Sequence, residues 1–125
     1  MIAKHINKGN LSGVESALKA GANPNELDDR GNPAIVLAAA TDQYQIANLL
    51  LDKGADFYAT DDFGLLAGTL ASQSRLLPDS VEGKALATFI SRLKSRGHPW
   101  PPPGPNQVER LKASGQWPPA NEAAP

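Results

Sequence analysis

The apolar positions of this chain recur at helical spacing, in short blocks set apart by turn residues. Ile2 and Ile6 mark one short helix, and Leu11, Val14, Ala17 and Leu18 mark a second. Ile35, Leu37, Ala38 and Ala39 define another short, apolar helix. After it, Tyr44, Ile46, Ala47, Leu49, Leu50 and Leu51 form a wide stripe on a helix from about Gln43 to Lys53. A third pair is predicted over Leu66 to Gln73 and over Ser80 to Arg96, with Val81, Leu86, Phe89, Ile90 and Leu93 as the stripe of its longer member. Helix-end chemistry sharpens the boundaries. Pro33 suits a first helical position with Asn32 as N-cap, and Asp79 followed by Glu82 resembles a capping box. Lys94 and Arg96 suit the negative end of the helix dipole. Gly21, Gly54 and Gly97 each follow a second helix, where glycine stops the helix in the left-handed conformation.

The blocks are copies of one another. GANPNELDDRG (21–31) aligns with GADFYATDDFG (54–64) at a constant offset of 33 residues. Asn23 aligns with Asp56, Leu37 with Leu70 and Ala38 with Ala71 at the same offset. Gly97 comes 43 residues after Gly54, so the third unit carries ten extra residues, placed at RLLPDSVEGK (75–84). A fixed period of this size is the mark of a solenoid whose units bury their apolar faces against each other.

The period, the paired helices and the Asp-x-x-Gly turn resemble the ankyrin repeat family. LLLDKGAD (49–56) and KGNLSGVESALKAGANPN (8–25) carry the likeness, which covers about residues 1–97. It implies an all-α, ankyrin-type helix-turn-helix solenoid of about three repeats, with units 1–27, 28–60 and 61–97. The family's Thr-Pro-Leu-His segment is replaced by Pro33-Ala34-Ile35-Val36 and by Leu66-Ala67-Gly68-Thr69. The threonine and histidine that tie neighbouring repeats are thereby missing, and Gly68 costs about 1 kcal/mol inside a helix. The third unit is expected to be the weakest link.

Composition divides the chain a second time. Of the 11 prolines, eight lie in 99–125, together with both tryptophans, Trp100 and Trp117. Residues 98–125 therefore read as an irregular, Pro-rich C-terminal cap covering the apolar surface that the third unit leaves open. A short helix near 106–114 is expected within it, capped by Asn106, with Val108 and Leu111 on one face and Gly115 at its end. A competing reading takes Arg96, Pro99 and Pro102 as the basic-x-x-Pro-x-x-Pro pattern recognised in polyproline II form. Arg96 also ends a helix, which prevents the motif from being extended throughout.

Charge and residue inventory narrow the function. Twelve basic and 13 acidic residues leave a formal charge of −1, which offers no footprint for nucleic acid or an anionic membrane. No apolar run could span a bilayer, and MIAKHINKGN lacks the apolar core of a signal peptide, so a cytoplasmic location is expected. There is no cysteine, which removes disulfides, thiolate nucleophiles and cysteine-bound metal centres. Only His5 and His98 offer imidazole chemistry; His5 reads as structural or exposed, and His98 as a hydrogen-bonding residue rather than a ligand. The pairs Asp28/Asp29 and Asp61/Asp62 occupy one turn position in successive units, where Asp accepts backbone N–H bonds. An enzyme would have to draw on Asp79, Glu82, His98 and Glu109. The expectation is no catalysis, no cofactor and no metal.

What remains is surface. The family resemblance implies recognition positions at Asp29, Arg30, Asn32, Ala40 and Thr41 in the second unit. In the third it implies Asp62, Phe63, Leu65, Gln73 and Ser74, with Lys8 from the first unit and Thr60 from the turn. Tyr58 is expected beside them, and Phe57 is expected to turn inward. Exposed aromatics beside an arginine have the composition of an interface hot spot. The expected function is a protein-interaction module, monomeric alone, that holds a protein partner on its concave face and turn tips. By analogy with small ankyrin-like proteins, an immunity or inhibitor protein that neutralises a bacterial toxin or hydrolase is a narrower form of this reading. A structural homo-oligomer is the other.

Overall fold

The glycine stops fall where the pattern puts them: Gly21, Gly54 and Gly97 take φ of 100°, 89° and 85°, each just past a second helix. The computed structural model describes residues 2–119; Met1 and the last six residues of the expected cap lie outside them. Among the described residues there are seven helices: α1 (Ile2–Asn7), α2 (Leu11–Lys19), α3 (Ala34–Ala40), α4 (Tyr44–Asp52), α5 (Ala67–Gln73), α6 (Val81–Ser95) and α7 (Pro105–Ala113). No strand forms among them. The turns before α3 and α5 are each closed by one isolated bridge, Leu27 with Pro33 and Thr60 with Leu66.

Three antiparallel hairpins, α1/α2, α3/α4 and α5/α6, stack in register. The short helices α1, α3 and α5 form one layer, and α2, α4 and α6 form the other. The core runs between the layers through Ile2, Ile6, Val14, Ile35, Ala38, Tyr44, Ile46, Leu50, Phe89 and Leu93. Small residues in α3 (Ala34, Ala38, Ala39) let the inner layer approach closely, while the aliphatic and aromatic groups of α4 and α6 fill the space behind. Val81 departs from the expected stripe; it lies at the first position of α6 and is exposed.

Three helix starts differ from the sequence reading. Pro33 is the N-cap of α3, not its first residue, and the Asn32 side chain turns away to donate to Asp28 Oδ2 at 3.1 Å. Gly104 caps α7, with Pro105 at its first position, so Asn106 is already helical. At α6 it is Ser80 that caps, its hydroxyl accepting from the Gly83 N–H at 2.9 Å.

Glu82 serves a different helix. Its Oε1 accepts from the N–H groups of Tyr44 and Gln45 at 2.6 and 3.0 Å, and its Oε2 from Gln45 Nε2 at 3.0 Å. The N-cap of α4, Gln43, makes no side-chain capping bond to the helix. A carboxylate from the third hairpin thus satisfies the start of a helix in the second and stands at the positive end of its dipole. Glu82→Ala should lower unfolding free energy by about 1–3 kcal/mol, because two donors lose a charged acceptor. Glu82→Gln should lower it by less. Chemical denaturation of the two variants checks the order.

Other side chains also tie hairpin to hairpin. Gln43 Nε2 donates to the Ile6 carbonyl at 2.7 Å, and Asn48 Nδ2 to the Ala85 carbonyl at 2.9 Å. Arg92 reaches back from α6 to the Asn48 carbonyl at 3.0 Å and to Asp52 at 2.7 Å. The absent threonine and histidine are replaced by these long polar reaches between hairpins.

Residues 98–119 fold back over the third hairpin. Val108 and Pro103 are buried, and Trp100 and Trp117 are half-buried against the core. The Thr69 hydroxyl of α5 donates to the Pro103 carbonyl at 3.0 Å, and Lys112 of α7 donates to Thr60 at 2.6 Å. Trp117 meets Tyr58 edge-on at 5.2 Å, and the Lys94 ammonium lies 5.5 Å from the Trp100 ring centre. Two glycines make this docking possible. A methyl group on Gly64 would come 2.8 Å from the Pro105 carbonyl oxygen, and one on Gly68 would come 2.9 Å from His98 Nε2. The helix penalty of Gly68 is explained by the ring packed on it. The proline pattern from Arg96 to Pro102 is accordingly not a free extended segment: Arg96 caps α6, and Pro99 and Pro102 are half-buried.

Candidate functional site

The first aspartate of each pair builds its turn. Asp28 Oδ1 accepts from the N–H groups of Arg30 and Asn32 at 2.8 and 2.9 Å. One period later, Asp61 Oδ1 accepts from Phe63 and Leu65, both at 2.9 Å. The carboxylate holds the loop by its backbone and pushes the intervening residues outward, so Asp29 with Arg30 and Asp62 with Phe63 become equivalent exposed tips. Burial works against ionisation of Asp28, but the bonds from Asn32 and Arg30 outweigh it and hold its carboxyl below the ordinary aspartate value. The turn therefore keeps its charge, and its geometry, throughout the neutral range.

Beside the first of these tips lies a concavity of about 640 Å³. Its walls are Ala3, Lys4 and Asn7 of α1, Asp28 to Arg30 and Asn32 of the turn, and Leu37 of α3. Lys4, Arg30 and the carboxylates of Asp28 and Asp29 line it together with the apolar side chains of Leu37 and Ala3. A mixed-charge groove with a small apolar base suits a peptide or protein surface better than a phosphate chain or a lipid.

The expected recognition residues separate into three groups. Asp29, Arg30, Asp62, Phe63 and Gln73 are exposed, Phe63 at 77%. Asn32, Thr41 and Thr60 are engaged within the fold: Asn32 with Asp28, Thr41 with the Leu37 carbonyl at 2.9 Å, and Thr60 with Lys112. Leu65 is half-buried. Tyr58 must be corrected: it is only 8% exposed, enclosed by Phe57, His98 and Trp117. The tail stands where a following repeat would leave this turn open, and that converts an expected contact residue into a core residue. Phe57 turns inward, as read.

Lys4, Asn7 and Leu37 are groove residues that the sequence reading did not single out; Lys8 took their place. The usable signal was helical period, since Ala3 and Lys4 share a face of α1 with Asn7, one turn on. Of the four groups an enzyme would need, Glu82, His98 and Glu109 are held on separate partners. Glu82 of α6 is bound to the start of α4, the His98 ring donates to the Pro99 carbonyl, and Glu109 packs beside Gly64. Among the described residues no three His, Asp or Glu side chains converge to hold a metal ion, and no helix is long and apolar enough to cross a membrane.

Comparison with known proteins agrees with this architecture. Residues 2–51 match the family model described as ankyrin repeats (many copies). A putative ankyrin repeat-containing protein of Treponema pallidum (strain Nichols) is 39% identical over 59 residues, which are 47% of this chain and 20% of that protein. The human transient receptor potential cation channel subfamily A member 1 is 40% identical over 47 residues, 38% of this chain and 4% of the channel. The chain spans a fifth or less of the length of these relatives. Stacked helical hairpins, Asp-closed turns and glycine stops agree with these matches, and the chain resembles the ankyrin-repeat family, whose model covers residues 2–51.

Proposed function

We propose that this chain binds a protein partner across the α1–α3 groove and the tips at Asp29–Arg30 and Asp62–Phe63, without catalysis of its own. Ankyrin repeats are in general protein–protein interaction modules, and that is the coarse frame. The single observation that carries the finer reading is the pair of equivalent tips. Arg30 and Phe63 stand one period apart, both held outward by an aspartate-bonded loop, and Arg30 lines the groove. An exposed phenyl ring on a fixed loop is a preorganised anchor, and the flanking charges set orientation. The organisation that goes with this reading is a repeat domain over 1–97, in units 1–27, 28–60 and 61–97, followed by a Pro/Trp-rich cap from residue 98.

An immunity or inhibitor protein acting on a toxin or hydrolase would be one form of such a module, occupying its partner through the same surface. The test needs the partner in purified form, obtained by co-purification, and titration calorimetry. Phe63→Glu should weaken binding by at least about 1–2 kcal/mol, and Arg30→Ala by less. Both side chains are exposed, so circular dichroism of the variants should match the unaltered protein. Normal affinity in both would place the interface on the outer helices or the tail. If the partner is a hydrolase, its turnover in the complex separates inhibitor from adaptor.

A further inference from the structure

The imidazole of His98 lies at the point where the tail leaves α6, and only 4% of the residue is exposed. Nδ1 is 2.9 Å from the Pro99 carbonyl oxygen. A carbonyl can only accept, so Nδ1 carries the proton and Nε2 is the bare nitrogen. Nε2 is buried with no hydrogen-bond partner. Around the imidazole stand Phe57, Tyr58 and Trp100, with ring centres 5.7, 5.1 and 6.0 Å from its own, and the backbone of Gly68 lies beside Nε2. The pocket gives Nε2 no hydrogen-bond partner and so suits a neutral ring.

The neighbouring charges do not supply one. In the turn before α5, Asp56 Oδ1 accepts from Tyr58 N–H and Asp61 Oδ1 from Phe63 and Leu65, while Asp62 sits beside Gly31. The α5 helix, AGTLASQ, has no ionisable side chain. The end of α6 brings cations, Lys94 against Trp100 and Arg96 at the C-cap. On α7, Glu109 lies beside Gly64, Lys112 is bound to Thr60, and Arg110 is exposed. Tyr58 stands in ring contact with the imidazole.

We infer that His98 is a proton-operated latch: adding a proton at Nε2 releases residues 98–119 from the third hairpin while the stacked helices α1–α6 persist. Release bares the face formed by Phe57, Tyr58, Gly68 and Thr69, which the tail otherwise covers. Burial holds the His98 imidazole below its usual value, against a smaller opposing effect of the Pro99 bond. The sign follows from that direction. The docked form binds the proton less well than the released form, so docking is at full strength above about pH 6.5 and weakens as pH falls from there through the docked value. Opening grows tenfold for each unit by which docking depresses the pKa, and then levels off.

Both tryptophans of the chain lie in the tail, which makes it its own reporter. On the full chain, emission should shift to the red between pH 7.5 and 5 while the far-UV helix signal stays within about a tenth of its neutral value. Tryptic cleavage at Arg110 and Lys112 should accelerate severalfold over the same range. Both changes should be absent in His98→Gln and retained in His5→Gln. A red shift that persists in a folded His98→Gln protein, or one that appears only with loss of helix, overturns the latch. If His98→Gln does not fold, NMR titration of the unaltered protein decides: a His98 pKa below 6.5 upholds it, and one at or above 6.5 overturns it.

Discussion

Removing residues 98–125 should lower the unfolding free energy by about 3 kcal/mol or more and drop the melting temperature by about 10 °C, with aggregation on heating. The loss has several parts. Burying Val108 alone is worth about 1.5–3 kcal/mol, and Pro103 and the two tryptophans cover further apolar surface. The Thr69 hydroxyl, 5% exposed, loses the Pro103 carbonyl, and Phe57, Tyr58 and the Gly68 backbone become wet. Ankyrin hairpins cannot bury their apolar faces singly, so the last one depends on whatever stands beyond it. Differential scanning calorimetry of the truncated chain checks this. An unchanged melting temperature would show that the tail covers nothing of consequence, and the latch would lose its basis with it.

Phe89→Ala should be the most damaging single truncation in the core, at about 3–5 kcal/mol. Phe89 is fully buried on α6 and packs at 5.5 Å, tilted by 49°, on Tyr44 of α4. The pair stands between the second and third hairpins, with Glu82 and Arg92 on the same α4–α6 boundary. Burial of Tyr44 raises its phenol pKa beyond the titratable range, with a smaller push from Asp42, and its hydroxyl donates weakly to the Ala39 carbonyl at 3.4 Å. A cavity beside it would be lined on one side by a polar group that cannot follow the missing ring. Urea unfolding should show the loss as a lower midpoint with little change in slope. A loss under about 1 kcal/mol would mean that the two hairpins are joined mainly by polar reaches.

Much of this fold was legible because its signals are local. Gly54 stops α4 through its own backbone freedom, and Asp28 and Asp61 close loops two to four residues away. Such features repeat with the sequence and can be read from it. Glu82 could not be read in this way, because its natural local partner, the start of its own helix, was served by Ser80, and its real partners lie 37 and 38 residues back. Tyr58 was misplaced for a related reason. Its position in the repeat is an open turn, and only the path of the tail, with Trp117 and His98 brought back over it, buries the ring. The groove was half visible: the turn residues were named, and the α1 wall of Lys4 and Asn7 was not.

The central claim is that a protein partner sits on the groove and the adjoining tips. Site-specific photo-cross-linking tests it most directly, with the photoreactive residue placed in turn at Asn7, Arg30 and Phe63, and at Glu15, Lys84 and Ser91 on the outer helices. All six positions are exposed, so each reports contact without disturbing the core. Cross-links to the partner from Asn7, Arg30 and Phe63, with none from the outer three, are the predicted result. Cross-links from Glu15, Lys84 or Ser91 with silence at Arg30 and Phe63 would contradict it.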